Sequence, residues 1–230
     1  MREVVDGVFE LGLGFVNVHL VVTDDGVVLI DTGLPRRSSR IEKALSEIRR
    51  PLGEVRTILL THHHFDHTGN VADLRTRSGA RVFAHAADAP VITGAIRPPA
   101  PKKLLARMAS KMMHAEPTKI DQLITADESE PLPGFNALHT PGHTRGHVAY
   151  LLDRAGGVLF AGDAAAGNKG EVTSAPRAAA ADLAELDRSV IKLASYEFDH
   201  AVFGHGQAVS GRAVDRFRKY AETLGESNGT

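Results

Sequence analysis

The sequence lacks cysteine and tryptophan, and it contains no long hydrophobic run. Without cysteine, the chain can form neither a disulfide nor a thiolate metal site, so any bound metal must use nitrogen and oxygen ligands. No apolar run approaches the roughly 18 residues that a membrane-spanning helix needs. Residues 1–11 carry four charged side chains and do not resemble the apolar part of a secretory leader. These absences predict a cytoplasmic protein without a membrane partner.

The chain also lacks an excess of either charge. Lys and Arg number 27 and Asp and Glu number 28, which gives a formal net charge of −1. This balance argues against a dedicated nucleic-acid binder, so we expect no nucleic-acid partner. The length of 230 residues and the hydrophobic content of 43% suit one domain that spans residues 1–230. The 12 histidines are the unusual feature of the composition.

Short β-branched runs separated by amphipathic segments indicate an α/β protein. The predicted strand 27–30, which ends at Asp31, resembles the strand 158–161, which is followed by Gly162 and Asp163. Chance similarity between buried strands would explain the resemblance of these two segments. Alternatively, the chain has two similar halves, each with helices on a sheet, whose sheets pack face to face as a four-layer αββα sandwich. Ser39 also predicts a capping box at the start of the first helix.

The strongest chemical signal is the segment 61–67, Thr-His-His-His-Phe-Asp-His. In an extended chain His62 and His64 point the same way, whereas the adjacent Asp66 and His67 point oppositely. The chain must therefore turn, and we expect the Thr-Gly-Asn stretch that follows to supply the turn. Three imidazoles and a carboxylate on one tight turn suit a borderline cation such as zinc. A solvent-facing, histidine-rich turn is the alternative.

Three more residues of ligand type lie on glycine-flanked loops at the ends of predicted strands: His143, Asp163 and His205. A lone histidine at a strand end is more often an ordinary core or surface residue than a ligand. The four ligands of segment 61–67 could also close a structural site by themselves. Together, however, the two groups make five histidines and two aspartates, which suits two metal ions about 3.5 Å apart with one bridging carboxylate.

The sequence resembles the metallo-β-lactamase-fold hydrolases. The resemblance runs from Asp31, in Ile-Asp-Thr-Gly, to His205, and it includes five motifs in the family's order. It implies the αββα fold and two divalent ions, zinc in the first place and manganese or iron as alternatives. By this resemblance the ligands would be His62, His64 and His143 for one ion and Asp66, His67 and His205 for the other, with Asp163 as the bridge.

The resemblance also implies the chemistry and the supporting residues. A hydroxide held between the ions would attack the carbonyl of a small thioester, ester or lactone, and Asp66 is the candidate that carries the proton to the leaving group. Asp31 would be a buried group that supports the ligand loop rather than a ligand. His147 either orients a ligand or begins a strand.

Within the family, the chain most resembles the hydroxyacylglutathione hydrolases (glyoxalase II) and the homoserine lactonases. Ala166 stands where those lactonases usually carry tyrosine, and only 25 residues follow His205, where the former usually carry a helical domain. β-Lactamases with the three-His-plus-Asp-His ligands usually lack a residue like Asp163, which argues against antibiotic hydrolysis. A persulfide dioxygenase with a single iron is the main alternative. The near-neutral charge disfavours a nuclease or phosphodiesterase, and the full ligand set disfavours a non-catalytic module.

An insert at residues 96–119 bears on the substrate. It carries a local charge of +5 and every methionine except Met1. Methionine side chains suit a surface that repacks around varied apolar groups, so the insert could be a lid over the metal site. A helix that packs its methionines on the body and solvates its lysines is the alternative.

Overall fold

The structure of the protein is a computed structural model that describes residues 1–96 and 114–227, with side chains as far as residue 225. The chain divides into two compact units, residues 1–3 with 7–123 and residues 4–6 with 124–230. Residues 97–113, the central part of the insert that is either a lid or a packed helix, lie outside the described residues. Within the described residues, no helix has the length and the apolar character to cross a membrane.

A seven-stranded sheet, nearly all of it in the first unit, has a spatial order that follows the chain. Its strands are β1 (Arg2–Val5), β2 (Val8–Gly12), β3 (Asn17–Thr23), β4 (Gly26–Ile30), β5 (Val55–Leu59), β6 (Arg81–His85) and β7 (Gln122–Ile124). The pairs β2–β3 and β3–β4 are antiparallel, whereas β4, β5 and β6 run parallel. Because Ile30 pairs with Leu59, the residues that follow β4 and β5 emerge side by side at one edge.

The described part of the first unit also contains four helices. They are α1 (Ser38–Glu47), α2 (Phe65–Thr68), α3 (Val71–Ser78) and α4 (Ala89–Ile92). Ile41 and Leu45 of α1 and Leu74 of α3 are fully buried and share one core with strand residues such as Leu29 and Ile58. Their helical spacing on one side and the strand alternation on the other explain why this layer forms.

The second unit has its own six-stranded sheet in the order β15-β14-β11-β10-β9-β8. Its strands are β8 (Glu128–Leu132), β9 (Phe135–His139), β10 (Val148–Leu152), β11 (Val158–Phe160), β14 (His200–Val202) and β15 (Val209–Ser210), and a separate hairpin pairs β12 (Ala166–Asn168) with β13 (Glu171–Thr173). In this part of the structure, β11 and β14 pair in parallel, and the other neighbouring strands of the sheet pair antiparallel.

Two helices pack on this second sheet, α5 (Leu183–Leu193) and α6 (Ala213–Ser227). Leu186 and Val190 of α5 share a core with Phe217 of α6 and with Phe203, which follows β14. The Phe203 and Phe217 rings stack with their centroids 6.1 Å apart. Each unit therefore contains a sheet with its own helices and its own core, and the predicted α/β class is confirmed.

The predicted capping box at Ser39 is wrong. Helix α1 begins one residue earlier, and its N-cap, Arg37, makes no side-chain capping bond. The side chain of Asn70, from a distant part of the chain, caps this helix instead: its Oδ1 accepts hydrogen bonds from the backbone N–H groups of Arg37 and Ser38, at 2.8 and 3.1 Å. A tertiary contact thus replaces the local cap that the sequence suggested.

Candidate metal centre

His62 and His64 lie on the extended segment that follows β5. Their facing ring nitrogens, Nε2 of His62 and Nδ1 of His64, are 3.1 Å apart, as expected from their spacing of two residues. Two nitrogen ligands of one tetrahedral zinc ion, each 2.0–2.1 Å from it, would lie about 3.3 Å apart. The measured spacing therefore fits two ligands of one ion.

Asp66 and His67 lie on the short helix α2, and both are buried. The turn that brings them out of the extended segment starts at Phe65, not in the Thr-Gly-Asn stretch after His67 where we expected it. Backbone bonds from His67 and Thr68 to the carbonyl oxygen of His64 close this helical turn, both at 3.0 Å. The His62 and His67 ring centroids are consequently only 4.1 Å apart.

Asp31 organises this segment from the end of the neighbouring strand. Its carboxylate accepts hydrogen bonds from the N–H of Thr61 at 2.8 Å, the hydroxyl of Thr61 at 2.7 Å and Nδ1 of His67 at 2.8 Å. Asp31 is 3% exposed, and its φ of 61° places a non-glycine residue in the left-handed region. The surrounding bonds hold this strained conformation, as strained residues at functional sites often require.

The same bonds select the tautomers of two histidines. Since the Thr61 hydroxyl donates to Asp31, its oxygen accepts from Nδ1 of His62 at 3.0 Å. Nδ1 of His67 donates to Asp31. In both rings Nε2 is then the nitrogen that offers a lone pair to a cation. The role expected for Asp31, support of the ligand loop, agrees with these contacts.

Asn70 is a supporting residue that the sequence analysis missed. Besides capping α1, its Nδ2 donates to the carbonyl oxygens of Thr32 and Leu34, at 2.5 and 2.7 Å. Thr32 in turn bonds the carbonyl oxygen of His67 through its N–H at 2.7 Å and its hydroxyl at 2.9 Å. Asn70 thereby links the loop that follows Asp31 to helix α2, which carries Asp66 and His67. In the sequence, the signal for Asn70 was limited to its position two residues after the Asp66-His67-Thr68 run.

His63, between the two facing histidines, is held by another residue that the sequence analysis missed. The carboxylate oxygen Oδ2 of Asp88 lies 3.0 Å from both the backbone nitrogen and Nδ1 of His63. Asp88 is 2% exposed. It therefore stabilises the extended backbone that presents His62 and His64.

In the second unit, one carboxylate oxygen lies between two imidazoles. Oδ2 of Asp163 is 3.2 Å from Nε2 of His143 and 3.1 Å from Nε2 of His205. The side chains of Asp163 and His143 are 4% and 1% exposed, and that of His205 is 14% exposed. Each of these spacings is that of two ligands of one ion, which fits a carboxylate that shares an ion with His143, with His205 or with both.

The loop of His143 is attached to the start of α5. The N–H of Ala181 donates to the carbonyl oxygen of His143 at 3.1 Å, and the N–H of Asp182 donates to that of Gly142 at 2.9 Å. Asp182 also caps α5, since its side chain accepts from the N–H of Glu185 at 2.9 Å. The helix terminus therefore fixes the backbone on which His143 stands.

His147 is fully buried and holds the backbone of Asp163. Its Nε2 accepts a hydrogen bond from the N–H of Asp163 at 2.9 Å. Nδ1 must then carry the proton, and it donates to the hydroxyl of Thr140 at 2.8 Å. Of the two interpretations of His147, these contacts favour the orienting one.

All seven predicted ligands belong to the His and Asp groups that could hold a metal ion. The donors are imidazole nitrogens and carboxylate oxygens, which are the ligands that zinc and other borderline divalent ions bind. The donor spacings within each unit fit that use.

The family model of the metallo-β-lactamase superfamily matches residues 11–205. The chain belongs to the metallo-β-lactamase superfamily. The probable metallo-hydrolase YflN of Bacillus subtilis (strain 168) is 30% identical over 91% of this chain and 88% of its own. The resemblance inferred from the motifs is therefore confirmed.

Two further comparisons concern the branch and the fold. A hydroxyacylglutathione hydrolase of Bradyrhizobium sp. (strain ORS 278) is 35% identical over 46% of this chain, but the match spans only 32% of that enzyme. The subclass B3 metallo-β-lactamase BJP-1 of Bradyrhizobium japonicum has a TM-score of 0.74 at 20% identity, over 99% of this chain and 91% of its own. The similarity to BJP-1 confirms the predicted metallo-β-lactamase type of fold, but it gives no information about the substrate of this chain. Family and relatives together indicate a metal-dependent hydrolase, as predicted.

Proposed function

We propose that the seven predicted ligands form one dinuclear centre that hydrolyses the acyl bond of a small thioester, ester or lactone. The observation that carries the proposal is Oδ2 of Asp163 at 3.2 and 3.1 Å from His143 and His205, because these two histidines belong to different candidate metal groups and a carboxylate near both suits a bridge between two ions. Membership of the superfamily supports the joint use of His62, His64, Asp66 and His67 with these three.

Two divalent ions would supply a nucleophilic hydroxide near neutral pH and polarise the carbonyl of the substrate. The side chains of the protein would orient the ligands and transfer the proton. Asp31 keeps the imidazoles of His62 and His67 in the tautomer that offers Nε2, and His147 keeps Asp163 in place. Asp66 takes the proton of the nucleophile on its carboxylate and delivers it to the leaving group.

We propose zinc as the metal, because imidazole and carboxylate donors at these spacings suit it. A thioester is the first substrate class to test, since hydroxyacylglutathione hydrolases are among the relatives. A cytoplasmic location and the absence of nucleic-acid and membrane partners stay predictions, as does the single domain over residues 1–230.

The test is a panel of thioesters, lactones and phosphodiesters, with metal content measured on the same sample, purified without added metal. We expect close to two zinc ions per chain and turnover of an acyl substrate. One iron per chain with oxidation of a persulfide would establish the dioxygenase instead. Phosphodiester turnover would favour the nuclease alternative, and metal without any turnover would favour a binding module.

Asp66→Asn tests the proton transfer. This variant should keep at least one metal ion and lose turnover of the substrate found in the panel, because the amide can neither accept nor deliver the proton. Asp73→Asn, an exposed change on the neighbouring helix α3, is the matched control and should keep full activity. Full activity of Asp66→Asn would remove Asp66 from the mechanism.

A further inference from the structure

The backbone around His205 is in direct contact with the β12–β13 hairpin, which follows Asp163 in the chain. Gly167 and Gly206 form an isolated parallel bridge. The N–H of Gln207 donates to the carbonyl oxygen of Gly167 at 2.8 Å, and the N–H of Gly167 points to the carbonyl oxygen of His205 at 3.4 Å. The residues on both sides of Gly206 are thus bonded to one residue of the hairpin.

This contact has no room for a side chain. A Cβ atom built on Gly167 would overlap the carbonyl oxygen of Gln207 and would lie 2.7 Å from Cε2 of Phe203. A Cβ on Gly206 would overlap the carbonyl oxygen of Gly167, and the φ of Gly206 is +89°. At Gly167 the restriction is steric alone, because its φ lies outside the left-handed range.

The hairpin itself is anchored, so the contact has a fixed position. Val172 of β13 is 6% exposed and belongs to the core of the second unit. The Thr173 hydroxyl donates to the carbonyl oxygen of Ala166 at 3.3 Å, and Glu171 pairs with Lys219 of α6 at 3.1 Å. At the other end, the N–H of Gly204 donates to the carbonyl oxygen of Gly162 at 2.9 Å. The segment 162–167 therefore contains Asp163 and is also hydrogen-bonded to the loop of His205.

We propose that Gly167 is a positioning residue that sets the distance between His205 and Asp163, and that it must be glycine for the ion held by His205 to bind tightly. The proposal rests on the proposed function, because it takes both side chains as ligands. Any side chain at position 167 pushes the 205–207 backbone away, which lengthens the 3.1 Å separation of Nε2 of His205 from Oδ2 of Asp163. The ion proposed to bind through His62, His64 and His143 does not use His205 and is unaffected.

The test compares zinc binding to the full chain with binding to Gly167→Ala, by competition with a chromophoric chelator and by metal content after dialysis. We expect two binding steps in the wild-type chain. In the variant, one step is weakened by about ten- to a hundredfold, the usual range when the support of a metal ligand is lost, and the other step is unchanged. A purely structural role predicts otherwise: both steps weaken together, along with the melting temperature of the metal-free protein.

Gly170→Ala is the matched control. Gly170 lies at the tip of the same hairpin, its φ is +82°, and no atom lies within 4 Å of a Cβ built there. This variant adds the strain of a left-handed alanine to the hairpin without displacing His205, so both binding steps should match those of the wild type. The inference would be overturned if Gly167→Ala bound zinc as tightly as the wild type in both steps. It would also be overturned if Gly170→Ala weakened one of the two steps selectively.

Thr173→Val serves if Gly167→Ala does not fold. It keeps the shape of the side chain and removes only the bond to Ala166, next to Gly167. The same single step should weaken by about fivefold, as the loss of one hydrogen bond implies, and unchanged binding would count against the proposal. The wild-type titration separates the two hypotheses: a single step there contradicts the dinuclear function itself, whereas two steps that Gly167→Ala leaves intact contradict only the role of Gly167.

Discussion

The two units hold their candidate ligands in different ways. The first presents four, from His62 to His67, on six consecutive residues, of which the last three lie in helix α2. The second presents three, His143, Asp163 and His205, on three separate loops. One buried carboxylate, Asp31, bonds to both ends of the contiguous group and is its shared support, while Asp88 holds only His63 between them. Each scattered candidate ligand has its own support instead: the start of α5, His147 and the β12–β13 hairpin.

The two groups should therefore fail in different ways. A contiguous group with one shared support loses several ligand positions at once when that support is removed. Scattered ligands lose theirs one at a time, because each loop is tied down independently. Loss of a support in the first unit should therefore cost more stability than loss of one in the second.

The largest effect is expected from Asp31→Asn. The amide cannot accept hydrogen bonds from Thr61 and His67 at the same positions, and it leaves buried donors unsatisfied. We expect the free energy of unfolding of the metal-free protein to fall by about 3 kcal/mol, measured by urea denaturation. Asparagine tolerates the left-handed conformation of residue 31, so backbone strain does not confuse the result.

The control for Asp31→Asn is Asp24→Asn, which removes the same charge from an exposed position in the same unit. It should change the free energy of unfolding by less than about 0.5 kcal/mol. If the two variants were equally stable, Asp31 would not be the shared support, and the contrast between the units would lose its basis.

A smaller effect is expected in the second unit, from His147→Leu. Leucine keeps the bulk of the ring but removes the acceptor for the N–H of Asp163. Because Asp163 is the proposed bridge, metal affinity should fall by about ten- to a hundredfold, measured by chelator competition. His147→Gln should restore most of the affinity, since its Oε1 lies near the position of Nε2 and can accept the same bond.

The exposed His114→Leu is the control for His147 and should bind metal as the wild type does. Leucine and glutamine variants of His147 that bind metal equally well would show that the bond to Asp163 has no positioning role.

The smallest effect concerns an ion pair outside the ligand loops. The hydrogen bonds from Arg75, together with that from the N–H of Val82, hold the pKa of Asp121 well below its usual range. Because this pKa is depressed, the carboxylate stabilises the fold above its ordinary pKa of 3.8, and the contribution is lost as pH falls below that value. Asp121→Asn should therefore cost about 1 kcal/mol at pH 7, a modest value because both partners are partly exposed.

Urea denaturation at several pH values between 7 and 3 checks this prediction. The stability difference between wild type and Asp121→Asn should shrink progressively below about pH 4, whereas the exposed control Glu47→Gln should show little difference throughout. A difference that grows towards low pH would contradict the assigned sign.

Much of the fold and the identity of the candidate ligands could be predicted, for local reasons. Strand alternation, the facing of His62 and His64, and the glycine-flanked loops are properties of short segments. The supports could not be predicted. Asn70 caps a helix more than 30 residues away in the chain, and the contact of Gly167 with Gly206 depends on where two distant loops meet. Ser39 is the opposite case: the local sequence predicted a cap there, but the distant side chain of Asn70 caps the helix instead.

The types of residue that can bind metal, and their order, could be read from the sequence, because ligand chemistry and short-range periodicity are local. Two further properties appear only in the folded chain: which ring nitrogen of His62, His67 and His147 faces its hydrogen-bond partner, and how close Asp163 comes to His143 and His205. Those properties depend on hydrogen bonds and steric contacts between segments far apart in the chain, and no local pattern encodes them.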